Sequence, residues 1–559
     1  MTDVLAVVPP WAAYLLAAVV VLLAPRRVGT AVAVALTALT VPWLFAVPPG
    51  SSLSTTALGF EQVLFRVDPL ARPVAALFGF VAAITVLYGY GTGADARQTA
   101  YSLAYMGAGV AAVVAGDWLT LFMAWELLAV SATVLVWHHG GDAVRPAFRY
   151  AVYHLIGGAF LVSAVALQYT ATGTFVYDGG LTAGLPTTLA VVGVGVNLGF
   201  VGLHAWLPET YPRPHVAVSV VMVGFTTKVA VYALARIALD GSLAVAWLGA
   251  VMVGFGVTQA VLQTDMRRLL SYHIISQVGY MVVAIGIGTS AGLTGAFAHL
   301  TANVLYKGLL FMIAGAIIVR TGERSLKKLG GLAREMPVTF GTFLVAALAI
   351  SGVPGFSGFV SKGLVTKAVE SAGAELLWWV LVLASVGTAL SFAKFGYYAF
   401  VRRPPDPVVV APASRSQLAS LVIIAVPSVL FGLFPGAFLG AFAGSPGTFE
   451  PYAASELAKA LAVAVAGVVG FGLVRKPLTR VHPVDVDRVL NPAAASLAVA
   501  TSTLAVDAGA TATRAGADLL GRLGSLAGRD PATTETSLRA ALWALAATTG
   551  LALLVVALA

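Results

Sequence analysis

The sequence contains no cysteine, and only 10% of its 559 residues are charged. The absence of cysteine excludes disulfide bonds, thiolate metal ligands and cysteine nucleophiles. Soluble domains are about a quarter charged. A charged fraction this low, combined with 59% hydrophobic residues, therefore excludes an ordinary soluble protein and predicts a polytopic membrane protein.

Nucleotide-binding motifs are also missing. The sequence has no Gly-x-x-x-x-Gly-Lys loop and no GxGxxG segment that opens a helix. The formal charge of +9 comes from short basic clusters between apolar runs rather than from one basic stripe, so it does not indicate nucleic-acid binding. We predict no cofactor, no metal site and no enzymatic activity of the chain by itself. Any such activity would belong to an assembly that contains the chain.

Apolar runs of about 20 residues, long enough to cross a bilayer, recur along the whole sequence. The first run has no basic segment before it and leads directly into further runs, so we predict no cleaved signal peptide. We count sixteen spans, at residues 6–24, 28–47, 70–92, 99–116, 118–138, 145–171, 185–207, 214–239, 243–264, 268–289, 293–319, 338–370, 375–400, 415–440, 453–474 and 537–558.

Basic residues concentrate in every second connection between these spans. They are Arg26, Arg27, Arg97, Arg145, Arg213, Arg267, Arg268, the run 320–334, Arg402, Arg403, Arg475 and Lys476. The alternate connections carry acidic residues, namely Glu61, Asp68, Asp117, Asp178, Asp240, Glu370, Glu375 and Glu450. Because basic loops stay on the cytoplasmic side, we predict a protein of the prokaryotic cell membrane with both termini outside.

Two connections depart from simple loops. Residues 48–68 alternate in polarity around Val63, Phe65 and Val67, which favours a short hairpin on the outside. Residues 476–536 form a long inside connection in which leucine and valine alternate with Ala, Thr, Asp and Arg. This connection is typical either of an amphipathic helix lying along the membrane or of a partly ordered cytoplasmic tail.

Four charged residues lie inside apolar runs that are otherwise typical of membrane-spanning helices, namely Glu126, Lys228, Lys307 and Lys362. A charge at the bilayer centre costs roughly 2.5 to 3.5 kcal/mol, so such residues usually face a bundle interior or a water-filled path. The four residues therefore indicate ion movement.

His299, Asn303 and Lys307 recur at every fourth position of the eleventh span. This spacing stacks them on one helix face, about 6 Å apart. An imidazole and a buried amine can exchange protons where an aliphatic face cannot. The trio therefore indicates a proton path, with hydrogen bonding between helices as the alternative.

The twelfth span contains Pro354 between Gly352, Gly355 and Gly358. Proline removes a backbone donor and glycine tolerates non-helical dihedral angles, so this helix should be interrupted within the membrane. Discontinuous helices form ion sites in transporters, and Lys362 follows the last of these glycines by four residues. A packing kink is the alternative.

Three further residues are open to two interpretations. Lys394 lies eight residues before Arg402 and could either join the path or extend to the inner interface. His204 and His273 could relay protons or hold a structural hydrogen bond.

Seven ordered segments together carry a family resemblance: Trp125–Leu127, His204–Pro208, Thr227–Tyr232, Asp265–Tyr272, Ser276–Tyr280, His299–Lys307 and Pro354–Lys362. They resemble the antiporter-like subunits of the complex I and Mrp superfamily. The likeness covers residues 60–400 and is greatest to the D-type subunit of Mrp-type sodium/proton antiporters.

The resemblance implies an all-α fold with a core of fourteen helices and two inverted five-helix repeats, whose seventh and twelfth helices are discontinuous. We accordingly divide the chain into residues 1–98 (spans 1–3), 99–240 (first repeat, spans 4–8), 241–400 (second repeat, spans 9–13), 401–475 (spans 14 and 15), 476–536 (the connection) and 537–559 (the last span). By the same resemblance, the proton relay consists of Glu126, Lys228, His299, Lys307 and Lys362. The last two spans and the connection between them resemble the extended C-terminus of the largest complex I subunit of this type.

Two positions depart from the family pattern. Asn197 occupies the place of a lysine on the seventh helix, and Gly202 that of a proline. Asparagine cannot take up a proton near neutral pH, so Glu126 lacks its expected cationic partner. Asn303 stands where complex I relatives place a second histidine. The first half-channel could therefore be altered, fed through His204, or inactive.

The resemblance implies a proton-conducting subunit of a multisubunit Na⁺ or K⁺/H⁺ antiporter, partnered by other membrane subunits. Three alternatives stay open at this point: a proton-pumping subunit of a complex I-like or hydrogenase complex, the membrane half of an inorganic-carbon uptake pair, and a structural scaffold without transport.

Overall fold

The computed structural model describes residues 8–50, 52–57, 59–177, 179–238, 240–403, 410–442 and 449–478. The predicted sixteenth span, the part of the 476–536 connection that follows Leu478, and Asp178 lie outside the described residues.

The described chain is almost entirely helical. Its helices are α1 (Ala12–Leu23), α2 (Arg26–Ala46), α3 (Ala71–Thr92), α4 (Ala96–Val114), α5 (Trp118–Trp137), α6 (Val144–Thr172), α7 (Leu185–Leu198), α8 (Trp206–Thr210), α9 (Val216–Ile237), α10 (Leu243–Leu262), α11 (Met266–Gly286), α12 (Ser290–Thr321), α13 (Leu332–Glu335), α14 (Pro337–Ser351), α15 (Ser357–Ser371), α16 (Glu375–Gly396), α17 (Arg415–Leu433), α18 (Pro435–Leu439) and α19 (Ala454–Leu478). Among the described residues, 11 helices are long and apolar enough to cross a membrane.

The first fifteen predicted spans each coincide with a helix or with two successive helices. The seventh span is divided into α7 and α8 and the twelfth into α14 and α15, so both predicted interruptions are confirmed. The total of sixteen spans and the division into inverted repeats stay predictions.

Glycine and proline produce the interruption of the twelfth span. Gly352 ends α14 with a φ of 76°, and Gly355 has a φ of 90°, a region that residues with a Cβ rarely occupy. Pro354 lies between these two glycines and has no amide hydrogen to continue the helix. The chain re-enters a helix only at Ser357.

The predicted hairpin at residues 48–68 is confirmed. Strands β1 (Ser52–Ala57) and β2 (Phe60–Arg66) pair antiparallel. Phe65 and Val67 are buried, as their alternation with polar residues predicts. The Val63 amide donates to the Asp117 carboxylate at 2.6 Å, which attaches the hairpin to the start of α5.

The connections between helices contact one another at two ends of the bundle. At the end with the arginine-rich connections, here called the basic face, Arg324 donates to the Pro212 carbonyl at 2.7 Å, across more than a hundred residues of sequence. At the opposite end, here called the acidic face, the hairpin contacts Asp117. These contacts agree with the alternation of the predicted spans across a membrane.

Burial within the bundle increases toward α9, α11 and α12. The most apolar stretches of α9 and α11 are completely buried and that of α12 is 89% buried, whereas that of α19 is only 11% buried. Helices α9, α11 and α12 therefore form the centre of the bundle, and α19 lies at its edge.

Glycines allow α10 and α11 to pack backbone against backbone. A methyl group added at Gly256 would lie 2.5 Å from the Ser276 nitrogen, and one added at Gly249 would lie 2.6 Å from the Val283 nitrogen. Carbon atoms cannot approach a backbone nitrogen so closely, so only glycine permits this contact between the two helices.

We expect Gly256→Ala to destabilise the protein by about 1 to 3 kcal/mol, because α10 and α11 would have to separate. Gly254→Ala is the matched control on the same helix, since a methyl group there meets no atom within 4 Å. The measurement is the temperature at which half of the detergent-solubilised protein remains monodisperse. Equal transition temperatures for the two variants would contradict the close packing.

Candidate functional site

Three of the charged residues predicted from the sequence lie buried at the centre of the bundle. Lys228 on α9 and Lys307 on α12 have no exposed surface, and Lys362 on α15 is 5% exposed. Among the described residues, none of these three ammonium groups forms an ion pair with a carboxylate. Each is stabilised by uncharged hydrogen-bond acceptors.

The interruption of the twelfth span supplies the acceptor for Lys362. In a continuous helix the Ile350 carbonyl would accept from residue 354, but Pro354 has no amide hydrogen. The Lys362 amine donates to this carbonyl at 2.8 Å instead, and its nitrogen lies 5.0 Å from the centre of the Tyr280 ring. The proline therefore both breaks the helix and creates a binding place for the lysine.

His299 on α12 connects this central helix to α15. Its Nδ1 lies 3.0 Å from the Ser361 hydroxyl, which belongs to the residue before Lys362. Its Nε2 lies 3.4 Å from the Tyr306 hydroxyl. Asn303 donates to the same hydroxyl at 3.2 Å, and the hydroxyl donates to Gln277 at 3.1 Å.

Within the predicted track, His299 and Asn303 are therefore joined through Tyr306, whereas Lys307 is not part of this hydrogen-bond chain. The Lys307 amine donates to the Leu270 carbonyl at 3.1 Å and forms no hydrogen bond with His299 or Asn303 among the described residues. Its nitrogen lies 5.9 Å from the centre of the Phe392 ring.

Lys307 interacts electrostatically with both Lys228 and Lys362. His299 interacts with the same two lysines. The four basic groups therefore form one coupled set. Since like charges repel strongly away from water, a proton on one group disfavours a proton on the next.

Lys228 has a polar surrounding of its own. Its amine donates to the Thr227 hydroxyl at 3.1 Å. One residue earlier, the Thr226 hydroxyl lies 2.6 Å from the Tyr105 hydroxyl and 3.2 Å from that of Tyr150. His154 stacks on Tyr150 with ring centres 3.7 Å apart.

Several buried polar atoms near the lysines have no hydrogen-bond partner among the described residues. They are both ring nitrogens of His273, the Ser276 hydroxyl, the Gln277 amide nitrogen, the Asn303 amide oxygen and the Ser391 hydroxyl. Buried polar atoms without protein partners are the usual binding places of interior water. His273 interacts electrostatically with Lys307, Lys362 and Lys394, so it belongs to the same region.

Lys394 contacts the C-terminal end of α10. It is 5% exposed, and its amine donates to the Val261 carbonyl at 2.6 Å and to the Gln263 carbonyl. These carbonyls belong to the C-terminal end of α10 and to the residue that follows it. A lysine at this position satisfies orphan carbonyls and complements the helix dipole, so its contacts are those of a helix cap.

Three predicted residues lie apart from the central set, in the first half of the chain. Glu126 packs against Gly158, and its Oε1 has no hydrogen-bond partner among the described residues. Asn197 is buried in the last turn of α7. His204 lies in the connection from α7 to α8, where its Nδ1 accepts from the Gly202 amide at 3.2 Å. Within the described chain, Glu126 forms no ion pair with Lys228.

Sequence reasoning missed Tyr306, Ser361 and the role of Tyr280. Tyr306 follows His299 by seven positions and Asn303 by three, which places all three side chains along one helix face. This spacing could have predicted that the Tyr306 hydroxyl lies near His299 and Asn303. Ser361 adjoins Lys362 in sequence, but its contact with His299 depends on how α12 and α15 pack.

The described residues contain no group of three or more His, Cys, Asp or Glu side chains that could hold a metal ion. The chemistry available at this site is therefore that of amines, imidazoles, hydroxyls and amides. Amines, imidazoles and hydroxyls can accept and donate protons.

Residues 115–391 match the family described as NADH:quinone oxidoreductase/Mrp antiporter, TM. The chain is 30% identical over 416 residues to the N-type subunit of the NADH-quinone oxidoreductase of Desulforudis audaxviator, covering 67% of this chain and 82% of that protein. It is 28% identical over 400 residues to the D-type subunit of the Na⁺/H⁺ antiporter of Bacillus subtilis, covering 66% of this chain and 80% of that protein.

The fold agrees with these likenesses. A protein in the structure of the Mrp complex from Dietzia sp. superimposes with a TM-score of 0.68 at 23% identity, covering 84% of this chain and 98% of that one. The family match at residues 115–391 contains α9, α11, α12 and α15, which carry the central lysines and histidines. The resemblance to the complex I and Mrp superfamily is confirmed. The chain is a polytopic membrane protein that belongs to the NADH:quinone oxidoreductase/Mrp antiporter transmembrane family.

Proposed function

We propose that this protein is the proton-conducting subunit of a multisubunit monovalent cation/proton antiporter. The observation that carries the proposal is the central set of Lys228, His299, Lys307 and Lys362, buried together without a carboxylate partner in the described chain. A scaffold gains no stability from three uncompensated amines at lipid depth, because each costs free energy to bury. A proton path requires groups of this kind.

Protons would move along the set by way of water and hydroxyl groups. Since protonation of one lysine disfavours protonation of its neighbour, a proton that arrives at Lys362 promotes release from Lys307, and so on to Lys228. His299 and Ser361 would carry the proton between α12 and α15, and the unpaired polar atoms around His273 would hold the water that completes the path.

The first half of the chain would contribute less to this path. Asn197 replaces a titratable group, and Glu126 has no partner within the described chain. Proton traffic in the proposal therefore runs through Lys228, Lys307 and Lys362. Glu126 would act through a group outside this chain.

The exchanged ion would be Na⁺ or K⁺, and its passage would require other membrane subunits, as for the antiporter relative of Bacillus subtilis. We place the chain in the prokaryotic cell membrane with the basic face inside and both termini outside. The chain would be a transport subunit without enzymatic activity of its own.

A second candidate function is a proton-pumping subunit of a complex I-like enzyme. Similarity to the N-type subunit of an NADH-quinone oxidoreductase, at 30% identity and 82% coverage, favours it. Affinity purification from the native membrane distinguishes the two functions, since co-purifying redox subunits support the second and further antiporter subunits support the first.

We expect Lys362→Ala and Lys307→Ala in the assembled complex to reduce cation-dependent proton flux by about tenfold or more, because each removes a proton-transfer group. The measurement is pH-indicator fluorescence in everted vesicles after addition of Na⁺ or K⁺. Lys367→Ala is the matched control on α15, since Lys367 is partly exposed and pairs with Glu370. Unchanged flux in both lysine variants, at normal complex abundance, would contradict the proposal.

We expect single cysteines to report the orientation without background, because the chain contains none. Thr55→Cys on the hairpin should react in intact cells with a membrane-impermeant maleimide. Lys328→Cys, whose side chain is 74% exposed at the basic face, should react only after the membrane is permeabilised. The reverse pattern would invert the predicted topology.

A further inference from the structure

A small cavity adjoins Lys362 on the side of α15 that faces α16 and α19. Its volume is about 50 Å³. Its polar lining consists of Ser351, Lys362, Thr366, Ser385, Glu456 and Lys459. Since one water needs about 10 to 15 Å³ of such volume and several polar partners, the cavity has room for roughly three waters.

Glu456 and Lys459 form an ion pair on α19, one helical turn apart, with the amine nitrogen 2.7 Å from the carboxylate oxygen. Pairs at this spacing are common on exposed helix faces, where they contribute only about 0.2 to 0.5 kcal/mol. This pair is not on an exposed face. Glu456 is 14% exposed and Lys459 is 25% exposed, and both line the cavity that Lys362 lines.

The position of α19 places Glu456 between Lys362 and the acidic face. Both α16 and α19 begin at that face and run in the same direction. Gly467 on α19 packs against α16, where an added methyl group would lie 2.8 Å from the Leu390 nitrogen. Glu456 precedes Gly467 by eleven residues along α19, which corresponds to about 16 Å toward the acidic face.

The segment before α19 covers α15 closely. The Phe449 ring lies against Gly363, where an added methyl group would be 2.6 Å from the ring. The Tyr452 ring centre lies 5.4 Å from that of Phe359. These aromatic contacts hold the start of α19 against α15, beside the cavity that the ion pair shares with Lys362.

We propose that Glu456 is the proton-transfer group that takes up protons from water at the acidic face and passes them to Lys362, and that Lys459 positions its carboxylate. The inference rests on the proposed function, since it requires that Lys362 carries protons. The carboxylate of Glu456 takes up one proton from water at the acidic face and becomes a neutral carboxylic acid. It then passes this proton through cavity water to the neutral amine of Lys362, which becomes an ammonium, and the carboxylate pairs again with Lys459.

The first experiment measures cation-dependent proton flux of the assembled complex in vesicles. Glu456→Gln keeps the shape of the side chain but removes the acid, so flux should fall by about tenfold or more. Glu456→Asp should retain most of the flux. Glu450→Gln, a change at an exposed carboxylate of the same connection that does not line the cavity, should have no effect.

Chemical rescue separates proton transfer from a structural role. Glu456→Ala leaves space beside the cavity for a small carboxylic acid, so added formate should restore part of its flux, whereas Lys362→Ala should not respond. Flux in Glu456→Gln equal to that of the unaltered complex, while Lys362→Ala is impaired, would overturn this inference alone. Unimpaired flux in Lys362→Ala would overturn the proposed function instead.

A second measurement does not depend on Glu456. Ala460 lines the cavity, while its neighbour Leu461 is 50% exposed on the apolar outer surface of α19. Ala460→Cys should be modified by a hydrophilic thiosulfonate added from outside, with loss of flux, and Leu461→Cys should not be modified. Absence of labelling at Ala460→Cys would show that no water reaches the cavity and would overturn the inference.

Discussion

The centre of this protein is constrained by the burial of three amines without a carboxylate partner in the described chain. A buried ammonium without a carboxylate partner must be stabilised by oriented dipoles, because no opposite charge compensates its own. The dipoles here are the Thr227 hydroxyl and the carbonyls of Leu270 and Ile350. Each is a weak substitute for a carboxylate, so the amines remain able to give up their protons.

Helix α11, one of the three central helices, supplies many of the groups that surround the buried lysines. It provides the Leu270 carbonyl, the His273 ring, the Gln277 amide and the Tyr280 ring and hydroxyl. Tyr280 is itself held by the Leu381 carbonyl at 2.6 Å. The glycine contacts between α10 and α11 fix the position of α11, so small residues with no chemistry of their own determine where the relay groups lie.

Much of the site could be predicted from the sequence because charge and helix-breaking residues act locally. A lysine in an apolar run and a proline between glycines have consequences within a few residues, which is why Lys362 and the interruption before it were both expected. Contacts between distant segments were not predictable in this way. The hydrogen bond between His299 and Ser361 and the contacts of Tyr306 depend on how helices pack against each other. The ion pair on α19 can be connected with Lys362 only because the structure shows that both line the same cavity.

The sequence by itself determined the membrane class, the positions of the helices that match the first fifteen predicted spans, the interruption of the twelfth span and the four charged residues inside apolar runs, since hydrophobicity, glycine and proline act through local free energies. The interruption of the seventh span was expected only from the family resemblance. Only the tertiary structure decided which of these groups meet. It brought Lys228, Lys307, Lys362 and His299 into one electrostatic set and left Glu126 against Gly158. The tertiary structure also places the Lys394 amine at the C-terminal end of α10, where it donates to the Val261 carbonyl. Helix packing sets these distances, and packing depends on side-chain shape across the whole bundle, which no local pattern encodes.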